Sequence, residues 1–332
     1  MLPDITKMIS IDVETFDPNL KAKGPGTFRG DAFLAGVAIT HYGQKSEYIP
    51  VGHTTGVNWT KDRAIRRIKE LVMNDQPKIG ARMIYDLEWL DWFGVKNIPG
   101  LKVDVQVNEA LIDENKFSYS LENISEKYGV GSKLTSTLED VCRQVGYIIR
   151  KPSDVFQQLY KLPSEKVAPY AIQDTLLPFE IYKHQKKILS DEGLEEVFLL
   201  ESKLTDLLLK MRIRGVPIDV NRAEQVREEL IKNEKQLTKN LKRVAGFDID
   251  IWAAASISVA FDKAGISYPR TAKTKVPSFT ADWLNAHPSE LAQSLVKLRK
   301  VSKMRSDFVE SMILGSLVKG RIHSQFHQML WQ

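Results

Sequence analysis

One cysteine, Cys142, stands in 332 residues, which excludes an intramolecular disulfide framework and a cysteine-based zinc site. No run approaches the roughly 18 consecutive apolar residues of a membrane-spanning helix, and the N-terminus carries no basic-then-apolar signal segment. There is no internal repeat and no low-complexity tract. With 43% hydrophobic and 27% charged residues, the composition is that of a globular protein and not of a disordered or fibrous one. These absences together predict a cytoplasmic protein with no membrane partner, long enough for two domains.

Charge is present but uneven. The net charge is +5, yet Lys263 to Arg321 alone holds 11 Lys/Arg against 4 Asp/Glu, a net of +7, and leaves the rest near −2. That asymmetry points to a polyanionic partner near the C-terminal end.

The first half alternates strand and helix patterns. Met8 to Thr15, Asp31 to Tyr42 and Ser46 to Val51 read as strands, the last two separated by Gly43-Gln44-Lys45. Lys61 to Met73 has helical apolar spacing, Lys78 to Ile84 is a short strand, and Tyr85 to Phe93 is helical. The pattern predicts an α/β fold, a mixed sheet with helices against it. From about Val167 the chain reads as nearly all helix: Glu195 to Arg214, Asn221 to Val244, Ala253 to Lys263, Thr280 to Ala286 and Pro288 to Leu314. The domain boundary is expected at Ser190-Asp191-Glu192-Gly193, giving domains 1–192 and 193–332.

Three short motifs carry possible chemistry. In I-D-V-E-T at Ile11 to Thr15, strand alternation puts Asp12 and Glu14 on one face and Ile11 and Val13 on the other. Carboxylates roughly 7 Å apart at their Cα atoms repel unless a cation lies between them, and hard divalent ions take such oxygen ligands. A solvated strand end explains the same pattern. In Y-D-L-E-W-L at Tyr85 to Leu90, Asp86 opens a helix, where the dipole favours an acid without any metal. In P-Y-A-I-Q-D at Pro169 to Asp174, Pro169 suits a first helical turn, and Tyr170 and Asp174 share a face. Pro178 predicts a kink just beyond the carboxylate.

Taken together, D-x-E, Y-D and Y-x-x-x-D across about 160 residues resemble the three motifs of the DEDDy class of 3′–5′ exonucleases. That class is built on a ribonuclease-H-like sheet. The segments V-N-E-A-L-I-D at Val107 to Asp113 and Y-S-L-E-N-I-S-E-K-Y at Tyr119 to Tyr128 are similar to the stretch between the second and third motifs. The resemblance implies that Asp12, Glu14, Asp86 and Asp174 hold two divalent cations, Mg²⁺ or Mn²⁺. It implies that Tyr170 orients the attacking water. Asp12 would bridge the ions, with Glu14 and Asp174 at one and Asp86 at the other. Thr15 and Phe16 are expected to touch the terminal nucleotide, although ordinary core packing explains Phe16 equally well. Arg82 stands where the family usually has Asn four residues before the second-motif Asp, and an arginine there is able to hold a phosphate.

From Leu200 onward the chain resembles the segment after the exonuclease domain of family A DNA polymerases, in the phage style. L-L-E-S-K-L-T-D-L-L-L-K-M-R-I-R-G-V-P-I-D at Leu199 to Asp219 is similar to the long helix leading into the thumb. Thr271 to Leu284 resembles the thumb tip, Leu298 to Val309 the helix along duplex DNA, and Gly320 to Gln328 the strand that opens the palm. Lys273, Lys275, Lys297, Lys300, Lys303 and Arg305 are the expected DNA contacts in this region, against the ordinary alternative of a solvated helix face. The resemblance implies a proofreading exonuclease that binds a single-stranded 3′ end and primer–template duplex. The polymerisation residues of palm and fingers would lie beyond Gln332, or on a separate chain, so no polymerisation by residues 1–332 alone is expected. Two other readings fit part of the pattern: a 3′–5′ exoribonuclease of the tRNA-trimming type, and a DNA-gripping subunit with a silent exonuclease.

Overall fold

The computed structural model describes residues 1–151, 153–326 and 328–329. They form two compact units, one of Met1–Gly215 with the segment from His323, the other of Val216–Ile322. The division therefore differs from the expected break at 192/193. The helix Glu195–Arg214 buries Phe198, Ser202, Thr205 and Arg212, and Phe198 joins the core that contains Val103 and Tyr182. Its side chains belong to the first unit, so the chain leaves that unit only at Gly215.

The first unit is built on a five-stranded mixed sheet in the order β3-β2-β1-β4-β5. Its strands are β1 (Ile9–Phe16), β2 (Phe33–His41), β3 (Glu47–Pro50), β4 (Lys78–Gly80) and β5 (Lys102–Asp104). β1 lies in the middle, antiparallel to β2 and parallel to β4. Three strands and two helices fall close to their expected places. β5 has no counterpart in the sequence reading, because three residues, two of them charged, show no periodicity. It begins at Lys102, whose ammonium is buried, donates to the Gly100 carbonyl and pairs with Asp206.

Alternation along β1 sorts its side chains. Ile9, Ile11 and Val13 enter a core with Ile68, Val72, Leu87, Trp89 and Leu90, from the helices Lys61–Val72 and Met83–Phe93. Burying each such side chain contributes about 1.5–3 kcal/mol. Asp12 and Glu14 therefore face the other way, towards the helix Ser164–Asp191, which packs on β1 and β2. A second core gathers Ile79, Val103, Ile124, Leu177, Ile181 and Tyr182.

The Ser164–Asp191 helix differs from expectation at Pro169. It begins five residues before Pro169, so that proline lies inside it, and it runs on through Pro178 to Asp191. Burial of 13 of its residues outweighs the hydrogen bonds that the prolines remove. Its position on the sheet is fixed by a 2.6 Å hydroxyl–hydroxyl hydrogen bond between Thr40 of β2 and Thr175.

The second unit, Val216–Ile322, is closed by a short antiparallel pair of β6 (Val216–Pro217) and β7 (Arg321–Ile322). The helix Val220–Ala245 is capped by Asp219, which accepts from the Arg222 amide at 2.9 Å. It packs on Glu290–Lys303 over a core of Leu241, Phe261, Phe279, Leu284, Leu295 and Leu298. The single long helix expected over Pro288 to Leu314 is α-helical only to Lys303 and then winds as a π-helix from Met304 to Ile313. The expected palm-opening strand over Gly320 to Gln328 is paired at Arg321–Ile322, and His327 within it lies outside the described residues.

Candidate active site

The first-motif acids lie just before an irregularity in the sheet. Pairing with β2 runs regularly to Glu14, opposite Gly36, and then shifts by one residue at Thr15, a bulge that turns the strand end. Gly36 is required there by packing. A Cβ at this position would lie 2.2 Å from the Tyr48 hydroxyl oxygen. Tyr48 passes through the gap to meet His53 Nε2 at 2.8 Å. His53 Nδ1 lies 2.9 Å from the Leu162 carbonyl oxygen, so Nδ1 carries the proton and the Tyr48 hydroxyl donates to Nε2.

Asp86 reaches the first motif by a different route. β4 ends at Gly80, and the chain turns through Arg82, whose backbone is left-handed at φ 62°. Asp104 at the end of β5 holds this turn, accepting from the Met83 amide at 2.8 Å and the Gln106 amide at 2.9 Å. Asp86 then falls in the first turn of Met83–Phe93, and its Oδ1 accepts from the Val13 amide at 3.1 Å. Arginine adopts this left-handed backbone less readily than the asparagine usual in the family.

The third-motif helix brings up Tyr170 and Asp174, both buried. Burial raises the carboxyls of Asp12, Glu14 and Asp86 well above the usual carboxylate range, and the neighbouring acids raise them further. Asp174 is raised by burial as well, against the opposing pull of Lys133. The Tyr170 phenol is pushed far up by burial and by Glu14, Asp174 and Asp12. All five expected residues are thus drawn to one place where their charges interact.

Lys133 was not among the expected residues. Its ammonium lies 2.5 Å from Asp174 Oδ2 and 5.4 Å from the centre of the Tyr170 ring. It arrives on the loop after the helix Leu121–Tyr128, which turns at Gly129 (φ 63°) and Gly131 (φ 116°). The Ser132 carbonyl accepts from Gln173 Nε2 at 3.4 Å. The signal in the sequence was the glycine pair in G-V-G-S-K, which marks a turn without saying what it faces.

The donor set suits hard divalent cations: four carboxylates, with Asp174 Oδ1 buried and lacking any hydrogen-bond partner. As the side chains stand, the described residues contain no group of three carboxylates, imidazoles or thiols drawn tightly enough to hold an ion.

Beside the acids lies a cleft of about 210 Å³ lined by Glu14, Thr15, Leu20, Arg82, Tyr85, Phe156 and Leu159. Thr15 Oγ1 and the Tyr85 hydroxyl are 2.7 Å apart. Phe16 packs against Phe33 and Tyr160, with ring centres at 5.4 and 4.6 Å, so its ring belongs to an aromatic cluster, and Phe156 is the half-exposed ring at the cleft.

In the second unit, Lys297, Lys300 and Lys303 are exposed at three-residue spacing on one stripe of their helix. Lys273 and Lys275 are exposed in the loop closed by the Arg270–Pro277 bridge. Arg305 differs from expectation. Its guanidinium is taken up by Glu234 at 2.5 Å and Glu310 at 2.6 Å.

A family model described as 3′–5′ exonuclease matches residues 6–190, the span that contains all three motifs. The chain belongs to this 3′–5′ exonuclease family. Relatives of the exonuclease include a DNA-directed DNA polymerase of Pseudomonas phage M6, 28% identical over 330 residues, covering 97% of this chain and 48% of the relative. DNA polymerase DpoZ of Salmonella phage PMBT28 is 26% identical, with 96% and 50% covered. DNA polymerase I of Bacillus subtilis is 23% identical, with 82% and 30% covered. The chain spans about half the length of the phage relatives. A solved POL domain of Pol1 from M. smegmatis, in complex with DNA primer-template and dNTP, shares the fold with a TM-score of 0.68 at 15% identity, covering 97% of this chain and 49% of that one. Among the described residues no helix is long and apolar enough to cross a membrane.

Proposed function

We propose that this exonuclease removes nucleotides from the 3′ end of DNA, with divalent cations, as the proofreading part of a family A DNA polymerase. The observation that carries the reading is the convergence of half-buried Asp12 with buried Glu14, Asp86 and Asp174 beside Tyr170, where the acids raise one another's carboxyls. Those four acids are the residues that would hold two cations, Mg²⁺ or Mn²⁺. When bound, the ions supply a nucleophile near neutral pH and neutralise charge on the leaving 3′-oxygen.

The chain's own residues do the rest. Tyr170 aims the attacking water along the scissile bond, which is a positioning role. The cleft between Thr15, Tyr85 and Phe156 takes the terminal nucleotide, with the Phe156 ring stacking on its base. Arg82 on the same wall holds a phosphate. Half-buried Tyr48, packed across Gly36, backs the sheet beside the strand that carries Glu14. The relatives are named as DNA polymerases, which favours DNA over RNA. The exposed lysines of the second unit are read as thumb contacts to primer–template duplex. Polymerisation is assigned to a palm-and-fingers portion outside residues 1–332, on the same chain or another.

The test is digestion of 3′-labelled and 5′-labelled single-stranded DNA with Mg²⁺, comparing wild type and Asp12→Ala. The expected result is stepwise shortening from the 3′ end that is abolished by the substitution and by EDTA. A folded wild type that leaves DNA intact, or one that digests RNA and spares DNA, overturns the reading.

A further inference from the structure

The exonuclease site contains one positive group that its expected chemistry does not use. Lys133 Nζ is 2.5 Å from Asp174 Oδ2, and its side chain is 79% buried. Asp174 keeps its other oxygen buried and unpartnered. The charges of Asp12 and Glu14 also act on the ammonium, which lies above the Tyr170 ring. Its charge thus already acts on three of the four acids that an incoming cation would meet. Two positive groups compete for those acids, since unit charges a few ångströms apart in a poorly solvated site repel by several kcal/mol.

We propose that Lys133 is a positioning residue of the exonuclease, an internal counter-ion that holds Asp174 until a divalent cation displaces it. Cation uptake is then an exchange of one positive group for another. The loop that carries Lys133 suits such an exchange. Gly131 at φ 116° meets only Leu177 Cδ2 and Gln173 Nε2 near its would-be Cβ, at 3.5 and 3.8 Å. Lys133 is followed by Leu134, which packs on the core beneath the loop, so the hinge is short. The inference rests on reading the four acids as the ion-holding set.

Two measurements on the whole chain test it. The first is Mn²⁺ binding by calorimetry, without DNA, for wild type, Lys133→Met and Lys133→Arg. Methionine keeps the apolar stem over Tyr170 and removes the competitor, so affinity is expected to rise about tenfold. Arginine is expected to restore wild-type affinity. A merely structural lysine would give weaker or unchanged binding in Lys133→Met, and either result overturns the exchange. The second uses wild type alone, so it stands even where a variant does not fold. Acylation of Lys133 by an amine reagent, read by mass spectrometry, is expected to be slow in EDTA and severalfold faster with saturating Mn²⁺. Equal rates overturn the displacement, even beside a gain in affinity. Failure of wild type and Lys133→Met alike to bind Mn²⁺ overturns the ion-holding reading as well. Normal binding with equal affinities overturns the lysine exchange alone.

Discussion

The amide of Val13 donates a 3.1 Å hydrogen bond to Asp86 Oδ1 and so ties the second motif to the strand residue between the two first-motif acids. The Val13 backbone amide holds Asp86 beside Asp12. Burial and Asp12 both raise its carboxyl, so the folded, ion-free protein carries unfavourable charge at this point. Asp86→Asn keeps an oxygen for the Val13 amide and removes that charge. The expected outcome is a fall in exonuclease rate of about 10²–10⁴-fold with a rise of a few degrees in the melting temperature in EDTA, about 2–4 °C per kcal/mol. Calorimetry beside a digestion assay checks it, and a lower melting temperature would refute the charge argument.

Tyr170 and Asp174 are one helical turn apart, yet their roles separate. Tyr170→Phe leaves the four acids and the buried ring in place and removes only the hydroxyl that faces them. Cation affinity is therefore expected to stay unchanged, while the rate falls about 10- to 10³-fold. Loss of Mn²⁺ binding in Tyr170→Phe would make the phenol part of the ion-holding set instead.

Glu109 governs stability away from the active site. Its buried carboxyl would be raised by burial alone, but hydrogen bonds from Lys116, Lys127, Gln185 and Tyr128 bring it down to about 2 from an ordinary 4.5. The folded state thus binds the proton less readily than the unfolded chain. The stabilisation is complete above about pH 4.5 and is lost as the pH falls towards about 2. Glu109→Gln is expected to cost about 2–3 kcal/mol at neutral pH and to flatten the acid limb of the stability profile. Urea unfolding between pH 2 and 7 measures both, and parallel profiles for the two proteins would show that Glu109 is not the titrating group.

The sequence made the motifs legible because each uses local periodicity. Strand alternation sets Asp12 and Glu14 together, and a four-residue helical step joins Tyr170 to Asp174. What it hid depends on contacts distant in the chain. Lys133 meets Asp174 across 41 residues, and Glu88 receives Arg212 from a helix that sequence spacing assigned to the next domain. The buried lysines of β4 and β5 show the same limit. Lys78 Nζ finishes the carbonyls of Asn74 and Gln76, so a charge that reads as solvated edges a buried strand. Pro169 lies beyond the first helical turn because helix burial against the sheet, a tertiary term, outweighed a local one.

Lys297, Lys300 and Lys303 form an exposed stripe, whereas Arg305, two residues on, is held by Glu234 and Glu310. The two groups should respond differently to salt. Each lysine that contacts a duplex phosphate contributes about 0.9 to the slope of log affinity against log salt. The triple variant Lys297→Ala, Lys300→Ala, Lys303→Ala is thus expected to lower the slope by about 2.7 and leave the unfolding free energy nearly unchanged. Arg305→Ala is expected to do the reverse, keeping the slope and losing about 1 kcal/mol of stability through its two partly exposed ion pairs. Fluorescence anisotropy on a labelled primer–template, from about 50 to 200 mM salt, separates them. An unchanged slope in the triple variant would place the duplex on another face of the unit, with the loop of Lys273 and Lys275 as the next surface to substitute.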